Sequence, residues 1–277
     1  MDEKEFLEKY DDSKYDKPSV TADLNIFSIF EEQTDNYRKL TTKKLKILLI
    51  RRGRYPFKDM FALPGGFVRK QETVDQAAFR ELKEETGIEC TFLQQLRTFS
   101  EPDRDPRRWV ITCAYMALID GKNYSIVGGD DATEALWFDV SLVNIQKEYW
   151  KLELYHEDER IEAILKHDMS TSISEFTNWE LVKSSNIAFD HALIITAAVI
   201  KLRKLVTNEE SNVIFKLLPD YFTLTEVQQV YEVILDKKLC SQTFRRQIKD
   251  LVEETQEYAQ SAGHRPSRLY RLKCNKS

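Results

Sequence analysis

The sequence predicts an α+β protein with two domains, a larger strand-rich domain followed by a smaller helical one. Aliphatic runs with strand-like composition flank a well-capped helical segment in the first 140 residues, and two amphipathic helical patterns stand near the C-terminus. The net charge of −5 divides into −8 over residues 1–210 and +3 over 211–277, which suggests two modules with different partners. We place the first domain at 1–207 and the second at 211–277, joined by the linker VTNEES.

Composition excludes several classes of protein. The N-terminal MDEKEFLEKYDD is charged and has no apolar core, so we expect no secretory signal. The longest apolar run, Ala192–Ile200, is far shorter than the roughly 20 residues that span a bilayer. The cysteines show no C-x-x-C spacing and are expected to be isolated thiols in a reducing, cytoplasmic setting: Cys90, Cys113, Cys240 and Cys274.

Strands are predicted where aliphatic residues cluster between polar segments. The first two are Val20–Phe30 and Leu45–Arg51, separated by the polar loop EEQTDNYRKLTTKK. RRGRYPFKDMFALPGGFV then requires turns because of its Gly and Pro residues. Three more strands are predicted later in the domain: Phe92–Ser100, Trp109–Ile119 and Ala135–Val140.

A helix is predicted over Val74–Thr86. Thr73 can cap it, Gln76 completes a capping box three residues on, and Gly87 supplies the C-terminal stop. These local signals define both ends of the element.

Residues 141–187 are predicted to be an insertion or extension of the first domain. YWKLELYHEDER is interpreted as a strand and turn, and RIEAILKHD as a short helix. Asp190–Val206 follows as a helix that is apolar almost all round, so we expect it to be buried on several sides.

The C-terminal segment has the pattern of a winged helix-turn-helix. One helical face carries Val227, Val230, Tyr231 and Ile234, and the next carries Phe244, Ile248 and Leu251. The outer side of the second helix is left with Gln242, Arg245, Arg246 and Lys249, which would reach bases or phosphates in a major groove. The strand-like HRPSRLYRLK would supply wing contacts to DNA through Arg265, Arg268 and Arg271. The alternative is a winged helix used only for packing or dimerisation, because VEETQE places acid beside the wing.

The segment FRELKEETG places three carboxylates, Glu81, Glu84 and Glu85, within one arc of a helix. Like charges at this spacing cost about 0.2–0.5 kcal/mol per pair. A solvated surface is one explanation. The other is a site for a hard divalent cation, which prefers oxygen ligands and would turn the repulsion into attraction. The Gly66 backbone can approach such a site closely, so that its carbonyl joins the ligands.

The longer stretch GFVRKQETVDQAAFRELKEETGI contains every fixed position of the Nudix box, G-x5-E-x7-R-E-U-x-E-E-x-G-U, and resembles the Nudix hydrolases. The resemblance implies an α/β/α sandwich with a mixed sheet and a Mg²⁺ or Mn²⁺ cofactor. It implies that Glu81, Glu84 and Glu85 bind the metals, with one of them a candidate base. Arg80 would orient a glutamate, and Glu72 would support the loop or an outer metal.

Three further stretches resemble the Nudix branch that acts on or senses ADP-ribose and related NAD metabolites: RRGRYPFKDMFALPGGFV, LRTFSEPDRDPRRWVITCAYMALI and GGDDATEALWF. The implied reaction is hydrolysis of a nucleoside diphosphate linked to another moiety, with ADP-ribose giving AMP and ribose 5-phosphate.

The residues suit such a nucleotide-sugar diphosphate. Arg54, Arg104 and Arg107 are candidate diphosphate clamps. The alternative for EPDRDPRR is a charged surface loop held by its own ion pairs. The candidates for stacking an adenine are Tyr55, Phe57 and Trp109. An additional catalytic carboxylate could come from Glu134, Asp130 or Asp131, and the alternative is that these three residues only form a turn.

IAFDHALII, FKLLPDYFTLTEVQQVYEVIL, FRRQIKDL and RPSRLYRL resemble the Nudix-related transcriptional regulators of NAD and sugar metabolism. In that family a Nudix domain senses a metabolite and a winged helix binds operator DNA as a homodimer. The intact box favours retained catalysis. The alternative is a repressor whose Nudix domain only binds its ligand. His191 is expected to be a hydrogen-bonding residue at a helix start.

Overall fold

The computed structural model describes residues 2–32, 41–87, 92–119, 132–168, 178–207, 211–259 and 266–273. Its strands are β1 Ser19–Glu32, β2 Thr42–Arg52, β3 Phe61–Ala62, β4 Gly65–Phe67, β5 Leu93–Phe99, β6 Val110–Leu118, β7 Ala132–Gln146, β8 Tyr149–His156, β9 Glu159–His167, β10 Trp179–Ser185, β11 Val252–Ala259 and β12 Ser267–Leu272. Its helices are α1 Glu3–Lys9, α2 Val74–Thr86, α3 His191–Thr207, α4 Leu224–Leu235 and α5 Ser241–Ile248, with a 3-10 helix over Ser211–Leu217.

The described part of the first domain forms a ten-stranded mixed sheet with the order β10-β9-β8-β7-β2-β1-β6-β5. β3 pairs with β2, and β4 with β1. The pair β1–β6 is parallel and the other pairs are antiparallel.

Both faces of the sheet are covered by helices. Ala22, Leu24 and Ile26 belong to the core that includes the buried face of α2. Phe27 and Ile29 belong to the core that includes α3. Because both faces are covered, β1 is buried over most of its length, including its polar residues Thr21, Asp23 and Asn25. The predicted α+β class and the sandwich arrangement are confirmed.

The helix α2 begins and ends where the sequence predicts. Thr73 Oγ1 accepts from the Gln76 N–H at 3.2 Å, and Gln76 Oε1 accepts from the Thr73 N–H at 2.8 Å, which completes the capping box. Gly87 ends the helix in the left-handed conformation with φ 68°.

The predicted helix in RIEAILKHD is wrong, because this segment is the strand β9. Ile161, Ala163 and Leu165 are buried in alternation along it, which is the period of a strand. The spacing of Ile161 and Leu165 is also compatible with a helix. The segment is a strand because it pairs with β8 along its whole length. With β8 and β10, this strand extends the sheet beyond β7, which itself runs past the predicted end at Val140.

The C-terminal elements pack against α3 in one continuous hydrophobic cluster. Arg203 Nε, near the end of α3, donates to the Ile234 carbonyl at 3.0 Å. Gln229 Nε2 on α4 donates to the carbonyl of Thr41 at 2.9 Å, just before β2. The second module is therefore joined to the first by α3 and by contacts near β2.

None of the helices in the described residues is long and apolar enough to cross a membrane. Cys113 and Cys240 are free thiols. The predicted Cys90 and Cys274 thiols lie outside the described residues.

Candidate functional site

The guanidinium of Arg80 links the acidic residues of the Nudix box. Its Nη2 lies 2.8 Å from Glu72 Oε1, and its Nη1 lies 2.6 Å from Glu81 Oε1 and 3.1 Å from Glu84 Oε2. Glu81 and Glu85 are buried, whereas the Glu84 side chain is half exposed. Arg80 therefore contacts three carboxylates of the box, of which Glu81 is buried and Glu84 is accessible.

Burial and Arg80 set the charge states of these carboxyls. Burial raises the pKa of Glu81, while the hydrogen bond and charge of Arg80 oppose that rise. The hydrogen bonds from Arg80, followed by that from the Arg69 N–H, lower the pKa of Glu72 to about 2. Glu72 is therefore ionised at neutral pH and fixes Arg80 on the helix.

The glycines before the helix allow the backbone to approach Glu81. A Cβ at Gly66 would lie 2.1 Å from Glu81 Oε1. Gly65 has φ 151°, and a Cβ there would lie 2.3 Å from the carbonyl oxygen of Ala22. A side chain at Gly65 would meet the backbone of β1, whereas one at Gly66 would displace the Glu81 carboxylate, so the β4 loop and α2 meet at Gly66 and Glu81.

The donor chemistry of this junction fits a hard divalent cation. Carboxylates and a backbone carbonyl are the ligands that Mg²⁺ and Mn²⁺ accept, and the buried Glu81 carboxylate would be stabilised by further positive charge. Within the described ranges, no three His, Cys, Asp or Glu side chains are already gathered at metal-binding distance. Arg80 stands between Glu81 and Glu84, so these side chains must rearrange to hold a metal.

A cavity of about 170 Å³ opens beside Gly66. Its buried floor consists of Thr21, Asp23, Ile50, Leu63, Val110, Arg104, Asp105 and His191. Its exposed mouth includes Arg54, Phe67 and Arg107, and Arg52, Gly65, Gly66 and Phe189 complete the lining. The structure thus brings Arg54, Arg104 and Arg107, predicted clamp residues, into one cavity next to the box.

The three arginines are not equivalent. Arg104 is buried and makes two parallel hydrogen bonds to Asp190, Nη2–Oδ1 at 2.7 Å and Nε–Oδ2 at 3.0 Å. Arg107 pairs with Asp105 at 2.7 Å. The alternative for EPDRDPRR, a surface loop held by its own ion pairs, therefore describes the contact of Arg107 with Asp105. It does not describe Arg104, which is buried and pairs with Asp190 outside the segment.

His191 and Asp23 are cavity residues that the site prediction did not include. His191 Nδ1 accepts from the Leu63 N–H at 2.9 Å at the start of α3, as expected of a helix-start hydrogen-bonding residue. Burial lowers the pKa of His191 to about 4 and raises that of Asp23. The sequence signal for Asp23 was a single acid inside the apolar strand VTADLNIF.

The aromatic residues at the mouth differ from those proposed for stacking. Phe189 and Phe67 line the cavity, with the Arg107 guanidinium 5.6 and 5.8 Å from their ring centres. Phe57 packs edge-on against Phe189 at 4.7 Å, one ring away from the cavity. Tyr55 is 84% exposed.

The candidates for an additional carboxylate are only partly described. Glu134 pairs with Arg51 at 3.0 Å on the sheet. Asp130 and Asp131 lie outside the described residues.

The outer face of α5 is polar and exposed, as its pattern predicts. Gln242, Arg245, Arg246 and Lys249 face solvent, while Phe244 and Ile248 are buried. This places a basic surface on the second helix of the helix-turn-helix, where such motifs contact DNA.

The wing, formed by β11 and β12, is largely charge-balanced. Arg268 pairs with Glu254, and Arg271 Nε lies 2.5 Å from Glu253 Oε1. Arg265 lies outside the described residues.

The turn between α4 and α5 is fixed by Glu232, a buried carboxylate on α4. Its Oε1 accepts from the Leu239 N–H at 3.0 Å and from Gln228 Nε2 at 2.9 Å, and its Oε2 pairs with Lys238 at 2.7 Å. This residue connects the first helix to the chain that enters α5.

Comparison with known proteins agrees with this arrangement. A Nudix domain model matches residues 38–158, and a model of the NrtR DNA-binding winged helix domain matches residues 214–272. Fold and site together define a Nudix domain followed by a winged helix. The chain is 32% identical over 274 residues to the ADPR responsive transcriptional repressor NtrR of Acinetobacter baylyi, covering 98% of this chain and 88% of the relative. The chain belongs to this family, the Nudix-related transcriptional regulators.

Other relatives and solved structures are similar to one or both domains. The ADP-ribose pyrophosphatase of Methanocaldococcus jannaschii is 42% identical over 129 residues, 46% of this chain and 75% of the relative. A MutT/nudix family protein from Enterococcus faecalis superimposes with a TM-score of 0.70 at 30% identity, over 99% of this chain and 94% of that one. Shewanella oneidensis NrtR complexed with a 27mer DNA superimposes with a TM-score of 0.61 at 25% identity, over 92% of this chain and 93% of that one.

Proposed function

We propose that this protein hydrolyses ADP-ribose to AMP and ribose 5-phosphate with Mg²⁺ or Mn²⁺. The contact between Glu81 and Gly66 carries the proposal, because it joins the carboxylates of an intact box to a cavity with arginines at its mouth. The similarity to an ADP-ribose pyrophosphatase supports this choice of substrate.

Glu81, Glu84 and Glu85, with the Gly66 carbonyl, would hold the divalent cation. When bound, the cation shields the diphosphate charge and lowers the pKa of water. Arg54 and Arg107, which lie at the mouth, would pair with phosphate oxygens.

The remaining residues of the box position the reacting groups. Arg80, fixed by Glu72, orients Glu81. One of the three box glutamates takes the proton of the attacking water. The buried lining of the cavity keeps bulk water from the bound sugar.

Glu85→Gln tests the catalytic proposal. Release of AMP and ribose 5-phosphate from ADP-ribose is measured with Mg²⁺, and we expect a fall of at least about 100-fold, since a carboxylate ligand or base is lost. Glu180→Gln, an exposed glutamate on β10, is the matched control. Wild-type protein that leaves ADP-ribose intact in Mg²⁺ and in Mn²⁺ would refute the proposal.

We also propose that the winged helix binds operator DNA as part of a homodimer, with ADP-ribose as the ligand that controls it. The exposed basic face of α5 favours this second function, and the relative from Acinetobacter baylyi is an ADPR responsive repressor. Lys and Arg on such a face neutralise phosphates and make binding dependent on salt.

The DNA-binding proposal is tested with the double variant Arg245→Ala/Arg246→Ala. Fluorescence anisotropy with DNA from the protein's own gene neighbourhood should show at least about a tenfold loss of affinity and a shallower salt dependence. Lys4→Ala/Lys14→Ala removes the same charge from exposed N-terminal residues and is the control. Equal affinity of the two double variants would indicate a winged helix used for packing only.

A further inference from the structure

Two polar atoms on the cavity floor have no hydrogen-bond partner. They are Thr21 Oγ1 and Asp23 Oδ2, both fully shielded from solvent. The two residues are 8% and 7% exposed and both line the cavity. Because they are two positions apart on β1, their side chains stand on the same face of the strand.

The neighbouring groups leave these atoms unpaired. Arg104 Nη2 is 3.6 Å from Asp23 Oδ2 and His191 Nε2 is 3.8 Å away, and both are beyond hydrogen-bond distance. Arg104 directs its short bonds to Asp190 instead. Buried polar atoms in folded proteins are nearly always paired, so two adjacent orphans on residues that line the cavity point to an occupant.

The charge of the cavity selects the chemical class of this occupant. The floor holds the carboxyls of Asp23 and Asp105 and also the guanidinium of Arg104, whose two short hydrogen bonds go to Asp190. The exposed cations Arg54 and Arg107 lie at the mouth. A phosphate would be repelled by Asp23 and attracted to the mouth. A hydroxyl suits the floor, because it can donate to Asp23 Oδ2 and can either donate to or accept from the hydroxyl of Thr21.

The shape of the floor selects one end of the ligand. The buried side chains of Ile50, Leu63 and Val110 close it, so it can receive only a terminal group. At Gly65 a Cβ would lie 3.0 Å from Asp23 Oδ1, and its absence leaves the carboxyl room to meet a ligand. Of the two ends of a nucleotide sugar, only the distal sugar consists mainly of hydroxyls.

We propose that Thr21 and Asp23 form the subsite for the hydroxyls of the terminal sugar of a nucleotide-sugar diphosphate. This inference rests on the proposed function. It orients the ligand with its sugar on the floor, its diphosphate passing Gly66 toward the carboxylates of α2, and its base outside.

The test compares ADP-ribose with ADP, which lacks the distal sugar. Dissociation constants are measured calorimetrically in EDTA, so that no hydrolysis occurs. Thr21→Val keeps the shape of the side chain and removes the hydroxyl. It should weaken the binding of ADP-ribose about tenfold and leave the binding of ADP unchanged. Asp23→Asn replaces an acceptor by a donor group and should also weaken ADP-ribose selectively.

Thr196→Val is the matched control, since Thr196 is a buried threonine inside α3 whose hydroxyl already bonds to Ala192. It should bind both nucleotides as the wild type does. Wild-type affinity of Thr21→Val and Asp23→Asn for ADP-ribose would mean that the two atoms hold water only and would overturn the subsite. An equal loss for ADP and ADP-ribose would also overturn it. Wild-type protein that binds neither nucleotide in EDTA and leaves ADP-ribose intact in Mg²⁺ and in Mn²⁺ would instead refute the proposed function.

Discussion

The carboxylate of Glu81 occupies the space that a side chain at Gly66 would fill. Glu81 Oε1 lies 2.1 Å from the ideal Cβ position of Gly66, and Glu81 Oε2 lies 3.2 Å from it. A side chain at position 66 would therefore displace the carboxylate of the glutamate on the neighbouring helix. This contact unites the first and the central residues of the Nudix box in space.

Gly66→Ala should disable hydrolysis by displacing Glu81. We expect the rate of ADP-ribose hydrolysis to fall at least about 100-fold, because misplacement of a catalytic group by about 1 Å has costs of this size. Gly87→Ala is the control, because no atom lies within 4 Å of a Cβ at this C-cap. It should lower stability by about 1–2 kcal/mol through its left-handed backbone and preserve the activity of the folded protein. Equal activity of the Gly66→Ala variant and the wild type would show that hydrolysis does not depend on the position of Glu81.

Arg80→Lys should reduce turnover roughly 10- to 100-fold, the usual cost of losing a group that orients ligands. A lysine has one ammonium and cannot reproduce the forked contacts to Glu72, Glu81 and Glu84. Arg69→Lys is the matched control, since Arg69 reaches Glu84 only at 3.8 Å from an exposed position. Steady-state kinetics with ADP-ribose and Mg²⁺ distinguish the two variants, and similar kcat values for both would contradict the positioning role.

His191 should make the protein less stable in acid. Its pKa falls from 6.5 to about 4 on burial, so below pH 6.5 the unfolded chain binds a proton that the folded chain does not. The contribution of His191 to the free energy of unfolding is therefore complete above pH 6.5. It is lost progressively toward pH 4, by about 3 kcal/mol in total.

The matching variant is His191→Asn, whose side-chain oxygen can still accept from the Leu63 N–H but does not titrate. Urea unfolding between pH 7 and 4 should show a smaller decline for this variant than for the wild type. Parallel declines would place the acid sensitivity in other groups.

Glu232→Ala should weaken DNA binding and leave hydrolysis intact. It removes the acceptor of the Leu239 N–H and frees the turn that leads into α5, with a cost to stability of about 1–3 kcal/mol. Lys238→Ala removes only the 92% exposed partner of Glu232 and should have little effect. Anisotropy with DNA and ADP-ribose kinetics on the same samples provide the measurements. Unchanged DNA affinity in folded Glu232→Ala would exclude the role of this residue in placing α5.

Local features of the chain were sufficient to predict α2, the box that it carries and the two helices of the winged helix. Thr73, Gln76 and Gly87 act within one or two turns of the helix that they delimit, so their pattern determines both ends. The buried and exposed faces of α5 follow from the spacing of Phe244 and Ile248 in the same way. Such signals need no knowledge of distant parts of the chain.

Long-range contacts decided what the sequence left open. The segment around Ile161 was compatible with a helix or a strand, and it is a strand because it pairs with β8. Arg104 was interpreted as a phosphate clamp, yet its carboxylate partner Asp190 lies 86 residues away on the chain and meets it only in the fold. The cavity beside Thr21 and Asp23 exists because β1, β4 and α3 converge. Hydrogen bonds and charge pairs of this kind depend on which elements become neighbours, and that is settled by packing of the whole core.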